Sequence, residues 1–120
     1  MNKVITGNLD TEVASHPETK GWFLGCFMEK NPDFLSDDVE VKWGRHPKGE
    51  IKKGYDATVT TKTLVILISG SCVVRFPKLK EESLLSQLGD YVFFDASTTD
   101  HENEAKEDSL VLVVRYPSKR

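Results

Sequence analysis

Two histidines of this chain lie close in sequence to carboxylates, and these residue types bind divalent transition metals. Glu50 follows His46 by four residues, and His101 directly follows Asp100. Imidazole nitrogens combined with a carboxylate are a common ligand set for zinc and for related metals. If a metal is bound, the sequence offers His46 and His101 with either Glu50 or Asp100, although a metal-free protein is favoured.

The same residues also have a structural interpretation without chemistry. His46 stands beside Pro47 in a predicted turn, and the acidic stretch 100–108 is typical of a solvated loop. His16, which precedes Pro17 in a polar segment, is typical of a surface residue. The chain has no glycine-rich phosphate loop and no GxSxG, CxxC or HExxH pattern. Whether the protein is an enzyme therefore stays open.

Aromatic and hydroxyl side chains suit a small-molecule pocket, which is usually an apolar wall with a few polar groups. Trp43 would belong to such a wall, and threonines are concentrated between residues 58 and 63. The β propensity of threonine also explains that concentration. The candidate ligand-binding residues in the barrel cavity are Trp43, His46, Tyr55, Thr61, Thr63, Phe94 and His101.

Strands must position these side chains, because no window of the sequence has a sustained helical period. Two apolar runs, residues 64–68 and 72–76, flank a Ser-Gly-Ser sequence, and this pattern predicts a β-hairpin. Residues 64–68 are apolar at both alternating positions. We therefore expect that strand to lie deep in a sandwich or against a partner subunit.

Further strands are predicted along the rest of the chain. Residues 39–43 alternate strictly, with Val39, Val41 and Trp43 facing one side of a half-buried strand. Many short strands separated by turns predict an all-β sandwich or barrel. We expect one domain, with an N-terminal arm and edge strands in residues 1–38 and the barrel in residues 39–120. The remaining predicted elements are strands at 22–28, 89–94 and 110–114, short strands at 3–5 and 84–88, and a charged loop at 78–82.

The spacing of the glycines resembles that of the cupins, small proteins with a double-stranded β-helix (jelly-roll) fold. The first cupin motif ends with a glutamate, six further residues and a glycine. Here six residues precede Gly70, and Thr63 stands at the glutamate position. The second motif opens with a glycine and five residues, matched by Gly89 and residues 90–94. Its histidine position falls on Asp100, one residue before His101.

The resemblance covers roughly residues 39–116 and implies a cupin barrel that lacks the usual metal site. Metal-binding cupins usually bind the ion through two histidines and a glutamate of the first motif and a histidine of the second. The first-motif histidine positions fall near residues 57–59, which contain no histidine. We therefore expect no cofactor, with a divalent transition metal as the alternative.

Composition narrows the class of protein. The 120 residues carry a net charge of −3, which gives no electrostatic footprint for nucleic acid or an anionic membrane. The longest apolar run is too short to span a bilayer, and the N-terminus lacks a signal-peptide core, so we expect a cytoplasmic location. Cys26 and Cys72 are isolated thiols in apolar surroundings, where they are expected as small buried hydrophobes.

Three functions are compatible with these patterns. The favoured one is a cupin-fold protein that binds a small molecule in its barrel without a metal. The first alternative is a metal-dependent cupin enzyme of isomerase or oxygenase type with an altered histidine and carboxylate site. The second alternative is a non-catalytic dimeric scaffold. A homodimer is expected, because an exposed apolar strand at residues 64–68 would otherwise favour aggregation.

Overall fold

A computed structural model describes residues 3–54 and 60–120 of the chain. Strands dominate this part, and the all-β prediction is confirmed. One α-helix, α1 (Leu9–Ala14), and short 3₁₀ turns accompany the strands, and no helix of the described residues is long and apolar enough to cross a membrane. The strands are β1 (Trp22–Leu24), β2 (Glu40–His46), β3 (Ile51–Gly54), β4 (Lys62–Ser69), β5 (Cys72–Phe76), β6 (Glu81–Leu85), β7 (Tyr91–Asp95), β8 (His101–Ala105) and β9 (Ser109–Tyr116).

Two antiparallel sheets enclose the core. The five-stranded sheet has the order β1-β2-β9-β4-β7, and the four-stranded sheet has the order β3-β8-β5-β6. Alternate side chains of both sheets point into the space between them, as the period of a strand requires. The core cluster consists of Val65, Leu67, Cys72, Val74, Phe76, Leu85, Val92, Phe94 and Val111.

The prediction of a hairpin around Gly70 is wrong. β4 pairs with β7 and β9, whereas β5 pairs with β6 and β8 in the opposite sheet. Gly70 has a φ of +91° and lies against Asp108 and Ser109. The Ser71 N–H donates to Ser109 Oγ at 3.0 Å. The segment forms a corner between the two sheets. Its conformation depends on a distant part of the chain, because Ser71 and Ser109 are 38 positions apart in the sequence.

The acidic stretch expected as a solvated loop contains β8, an inner strand of the four-stranded sheet. Its side chains alternate, so that His101 and Asn103 face the interior while Glu102 and Glu104 face Arg75 of β5. The guanidinium of Arg75 lies 3.6 Å from Glu102 and 2.9 Å from Glu104. Arg75 on the neighbouring strand thus compensates the negative charge of Glu102 and Glu104, which had indicated a loop.

The N-terminal arm begins with a helix that the sequence analysis missed. The side chain of Asn8 accepts a hydrogen bond from the Thr11 N–H at 3.2 Å, and Asp10 lies in the first turn, which are ordinary signals of a helix start. The structure has no strand at residues 3–5. The predicted charged loop at 78–82 overlaps β6, which begins at Glu81.

The orientation of β2 is the opposite of the expected one. Lys42 and His46 face the interior, because β2 is in register with β9 so that Lys42 lies opposite Val113 on the core side. Trp43 faces outward, and its indole N–H donates to Asp10 of α1 at 2.9 Å. The alternating pattern therefore predicted the strand but not which side is inside.

Candidate ligand-binding cavity

The cavity between the two sheets has two adjacent compartments. The inner compartment, of about 60 Å³, is bounded by His46, Glu50 and several valines. The mouth compartment, of about 230 Å³, is bounded by Thr63, Phe94 and His101. The side chains common to both linings are Lys42, Lys52, Val65, Asn103 and Val113. Because they share these five residues, the two compartments are adjacent.

A histidine and a glutamate form a close pair at the inner end. His46 Nδ1 lies 2.5 Å from Glu50 Oε1. Burial lowers the pKa of His46, and this outweighs the hydrogen bond to Glu50. Burial by itself would raise the pKa of Glu50, but its hydrogen bond to His46 and the charge of Lys52 leave it lowered. A neutral imidazole therefore donates its Nδ1–H to an ionised carboxylate, and Nε2 carries the free lone pair.

A second histidine lies at the mouth of the cavity. The ring of His101 is tilted by 45° against that of Phe94, with the ring centres 4.6 Å apart. A Cβ on Gly54 would lie 2.8 Å from His101 Cε1, so glycine allows the ring to pack on the backbone of β3. Burial, followed by the charge of Arg115, lowers the pKa of His101. The imidazole is thus neutral at pH 7.

Four buried polar atoms on the lining of the mouth compartment have no hydrogen-bond partner in the part of the chain that the structure describes. They are Thr63 Oγ1, His101 Nδ1, Asn103 Oδ1 and Arg115 Nε. A buried polar group left without a partner costs about 1–3 kcal/mol. The four residues that carry these atoms all border the mouth compartment.

Cations are also concentrated here. Burial, followed by the charge of Lys52, lowers the pKa of Lys42 to about 8. The Lys42 ammonium lies 6.0 Å from the centre of the Trp22 ring and has no ion-pair partner among the described residues. The guanidinium of Arg115 lies 4.4 Å from the same ring and donates to Glu40 at 3.1 Å. Lys42 is thus a half-buried cation without a direct ion pair among the described residues, although the charge of Glu50 acts to raise its pKa.

Four of the seven residues predicted from sequence line this cavity, namely His46, Thr63, Phe94 and His101. Thr61 is buried, with 1% of its surface exposed, but it does not border the space. Trp43 lies on the outer face, bonded to α1. Tyr55 lies outside the described residues.

The described residues do not fit a divalent metal. No group of three or more histidine, cysteine, aspartate or glutamate side chains is gathered in residues 3–54 and 60–120. His46 and Glu50 occupy the inner end, whereas His101 lies at the mouth and borders a separate surface cleft with Asp100. The lysines between the two histidines would repel a cation.

Sequence reasoning missed several cavity residues. Asn103 was assigned to a loop, and Lys42 was placed on the outer side of its strand. Side chains alternate between the two faces of a strand, so a strand at 101–105 with His101 inward would also have placed Asn103 inward. For β2, placing the side with Val41 and Trp43 outward would have placed Lys42 inward. The charged and amide side chains of the mouth lining that were not among the candidates are Lys42, Lys52, Lys53, Asn103 and Arg115.

Neither the comparison with protein-family models nor that with curated proteins finds a match for the chain. Solved structures are similar. TT1209 from Thermus thermophilus is 23% identical over 72% of this chain and 87% of its own, with a TM-score of 0.59. KdgF from Halomonas sp. is 21% identical over 68% and 71%, with a TM-score of 0.58. A cupin superfamily protein from Desulfitobacterium hafniense is 19% identical over 68% and 70%, with a TM-score of 0.58. The chain therefore has the cupin fold, as the glycine spacing predicted.

Proposed function

We propose that the cavity between the two sheets binds a small polar molecule. The observation that carries this function is the set of four unpartnered polar atoms on a lining that also includes apolar side chains. A few fixed polar groups on an apolar wall are the usual composition of a ligand site. The compartments are smaller than the roughly 300–1,000 Å³ typical of drug-sized ligands, so a molecule of few heavy atoms is expected.

Two potential nucleophiles at or near the cavity, Cys72 and Ser109, are not activated, so binding is the function proposed. Cys72 borders the inner compartment, but burial raises the pKa of its thiol and keeps it protonated. A protonated thiol is a poor nucleophile. The hydroxyl of Ser109 donates to backbone carbonyls and so is not paired with a histidine.

Calorimetric titration with probes of different charge tests this function. Succinate, succinamide and 1,4-diaminobutane share a four-carbon skeleton, and benzoate and benzamide add an aromatic pair. At least one probe is expected to bind with one-to-one stoichiometry. Asn103→Leu and Thr63→Val, which remove polar atoms of the lining, are expected to weaken binding by about tenfold.

The matched control is Glu82→Gln, which changes an exposed side chain of β6. It is expected to leave affinity unchanged, because Glu82 contacts Arg75 and borders neither compartment. Binding by none of the five probes, or equal affinity in the lining variants and the wild type, would contradict a binding cavity.

A second function, dimerisation, is favoured by the outer face of the five-stranded sheet. Apolar side chains form two rows across β2, β9, β4 and β7 on this face. Tyr91 is 67% exposed and Phe93 is 50% exposed. The outer-face residues are Val41, Trp43, Leu64, Ile66, Tyr91, Phe93, Leu112 and Val114.

A second copy of the chain is the proposed partner of this outer face. A single apolar patch of this kind becomes self-complementary around a two-fold axis, which is the commonest symmetry of soluble oligomers. Sedimentation at micromolar concentration is expected to give a dimer, and Phe93→Lys a monomer. The control Leu84→Lys changes an exposed strand residue of the other sheet, 61% exposed, and is expected to stay dimeric. A monomeric wild type would contradict this second function.

A further inference from the structure

The cations that border the cavity do not all have carboxylate partners. Lys52 lies 3.8 Å from Glu50, and Lys53 lies 3.8 Å from Glu102. In the part of the chain that the structure describes, the ammonium of Lys42 has no such neighbour, although it lies where both compartments meet. Glu50 is the carboxylate whose charge reaches Lys42, but it is already hydrogen-bonded to His46 and lies near Lys52. Lys42 is therefore the cation of this cavity that is most available to a group from outside the chain.

Burial makes this arrangement costly. A charged group removed from water without a partner destabilises the folded state, and buried charges in proteins are usually paired for that reason. Glu40 does not compensate Lys42, because its two oxygens accept hydrogen bonds from Arg115 at 3.1 Å and Arg120 at 2.6 Å. An anionic ligand would give Lys42 a direct partner, so part of the cost that this half-buried residue imposes on the free protein would be recovered on binding.

Three side chains of this lining, Lys42, Thr63 and Arg115, can donate to an acceptor. The amide oxygen of Asn103 is left for a donor elsewhere on the ligand. The Nε–H of Arg115 and the ammonium of Lys42 can only donate hydrogen bonds, and the hydroxyl of Thr63 can donate one. An ionised carboxylate is acceptor-only and offers about four lone-pair positions. The donors of this cavity therefore match a carboxylate better than they match an ammonium or a hydrocarbon.

The rest of the lining indicates what the carboxylate is attached to. Val65, Phe94 and Val113 supply apolar walls beside the cations. A bare inorganic anion would leave these walls without contacts, whereas a short carbon skeleton would cover them. The volume of about 230 Å³ at the mouth limits that skeleton to a few carbons or one small ring.

We propose that the ligand of this cavity is a small organic carboxylate, and that the ammonium of Lys42 binds the carboxylate group. This assignment rests on the proposed binding function and gives it a ligand class. Lys52 and Arg115 add positive charge around the same point, and Thr63 contributes a hydroxyl.

The protonation of Lys42 should then couple to binding. Because a bound carboxylate stabilises the ammonium, affinity falls as the pH rises through the pKa of Lys42 in the free protein, which burial lowers to about 8. The other charged or titratable groups around Lys42 are His46 on β2, Glu50 and Lys52 at β3, Arg115 on β9 and His101 and Glu104 on β8. Burial lowers the pKa values of the two histidines, so they are neutral above pH 7 and add little to that dependence.

Three pairs of ligands test the assignment at pH 7 by calorimetry. Two pairs compare a carboxylate with its neutral amide: succinate with succinamide, and benzoate with benzamide. The third pair compares two kinds of anion, inorganic phosphate and succinate. The carboxylates are expected to bind about tenfold or more tightly than the amides, and more tightly than phosphate. Between pH 7 and 9.5, the affinity for the carboxylates is expected to fall about tenfold.

Two variants of Lys42 and one control locate the effect. Lys42→Met is expected to abolish the preference for carboxylates, and Lys42→Arg to keep it while removing the fall in affinity above pH 8. Lys62→Met, an exposed lysine on the outer side of β4, is expected to behave as wild type. Equal binding of amides and carboxylates, tighter binding of phosphate, or an unchanged preference in Lys42→Met overturns the carboxylate assignment while the binding function stands. Binding of no probe overturns both.

Discussion

Gly70→Ala tests the corner between β4 and β5, which is the largest difference between the expected and the observed fold. Gly70 has a φ of +91°, a region that L-residues rarely occupy. A Cβ at this position would lie 2.5 Å from Ser109 Oγ and 2.7 Å from Ser109 Cα, and would also meet the carbonyl oxygen of Asp108. Two of these neighbours are backbone atoms, so the β8–β9 connection would have to move.

The two physical effects give the size of the expected destabilisation. A left-handed conformation costs a non-glycine residue about 1–2 kcal/mol. Forcing a methyl group into packed surroundings costs a further 1–3 kcal/mol or so. Gly70→Ala is therefore expected to lower the free energy of unfolding by about 2–5 kcal/mol.

Gly49→Ala is the matched control for this substitution. Gly49 has a φ of +90°, and a Cβ there would meet nothing within 4 Å. Both variants lose the same glycine freedom in the unfolded chain, so that contribution cancels in their difference. Urea unfolding followed by tryptophan fluorescence should find Gly70→Ala less stable than Gly49→Ala by about 1–3 kcal/mol. Equal stability of the two variants would refute the close packing of Gly70 against the β8–β9 connection.

Two other predictions concern buried charge. Burial lowers the pKa values of His46 and His101 in the folded protein. As the pH decreases through about 6.5, the histidine pKa of the unfolded chain, the unfolded chain therefore binds more protons than the folded protein. The free energy of unfolding consequently falls as the pH decreases through that value. In urea titrations between pH 7.5 and 5.5, His101→Gln should flatten this dependence by up to about 1.4 kcal/mol per pH unit, and a curve parallel to wild type would contradict it. Glu40→Gln leaves Arg115 and Arg120 without their shared carboxylate and should destabilise the protein by about 1–3 kcal/mol. Asp10→Asn, which breaks a solvent-exposed pair with Arg45, should have a smaller effect in the same assay, and the reverse order would argue against a stabilising role of Glu40.

The sequence was sufficient for the strands that carry strong apolar patterns. β4, β5, β7 and β9 all coincide with predicted apolar runs, and the glycine spacing around Gly70 and Gly89 was sufficient for the cupin fold. These features are local, because the period of a strand and the turn glycines depend on neighbouring residues only. The same is true of the helix start at Asn8, whose cap signal was present but not used.

The features that were not predicted depend on contacts between distant segments. The Ser-Gly-Ser sequence has the composition of a hairpin, but Ser109 and Asp108 direct it from one sheet to the other. β8 resembles a loop until Arg75 of the adjacent strand is placed beside its glutamates. The orientation of β2 depends on the segments packed against its two sides: α1 contacts Trp43 on the outer side, and the cavity lies on the side of Lys42.

That last error concealed the chemistry of the cavity. An apolar side is usually the buried one, yet here the alternate residues Val41 and Trp43 lie on the outer face of the sheet. The polar side therefore faces inward and brings Lys42 and His46 into the cavity. Thr63, identified from sequence as the replacement for a metal-binding glutamate, does lie on the lining with its hydroxyl unpartnered among the described residues.

Mapping the binding site by nuclear magnetic resonance tests the central claim most directly. Proton–nitrogen correlation spectra are recorded while the full chain is titrated with succinate and, separately, with benzamide. A binding cavity predicts saturable shifts of the amides of Thr63, His101, Asn103 and Arg115, with little change on the outer strand positions of β6. Shifts that do not saturate, or that are confined to the outer surfaces of the two sheets, would contradict the claim that this cavity is a ligand-binding site.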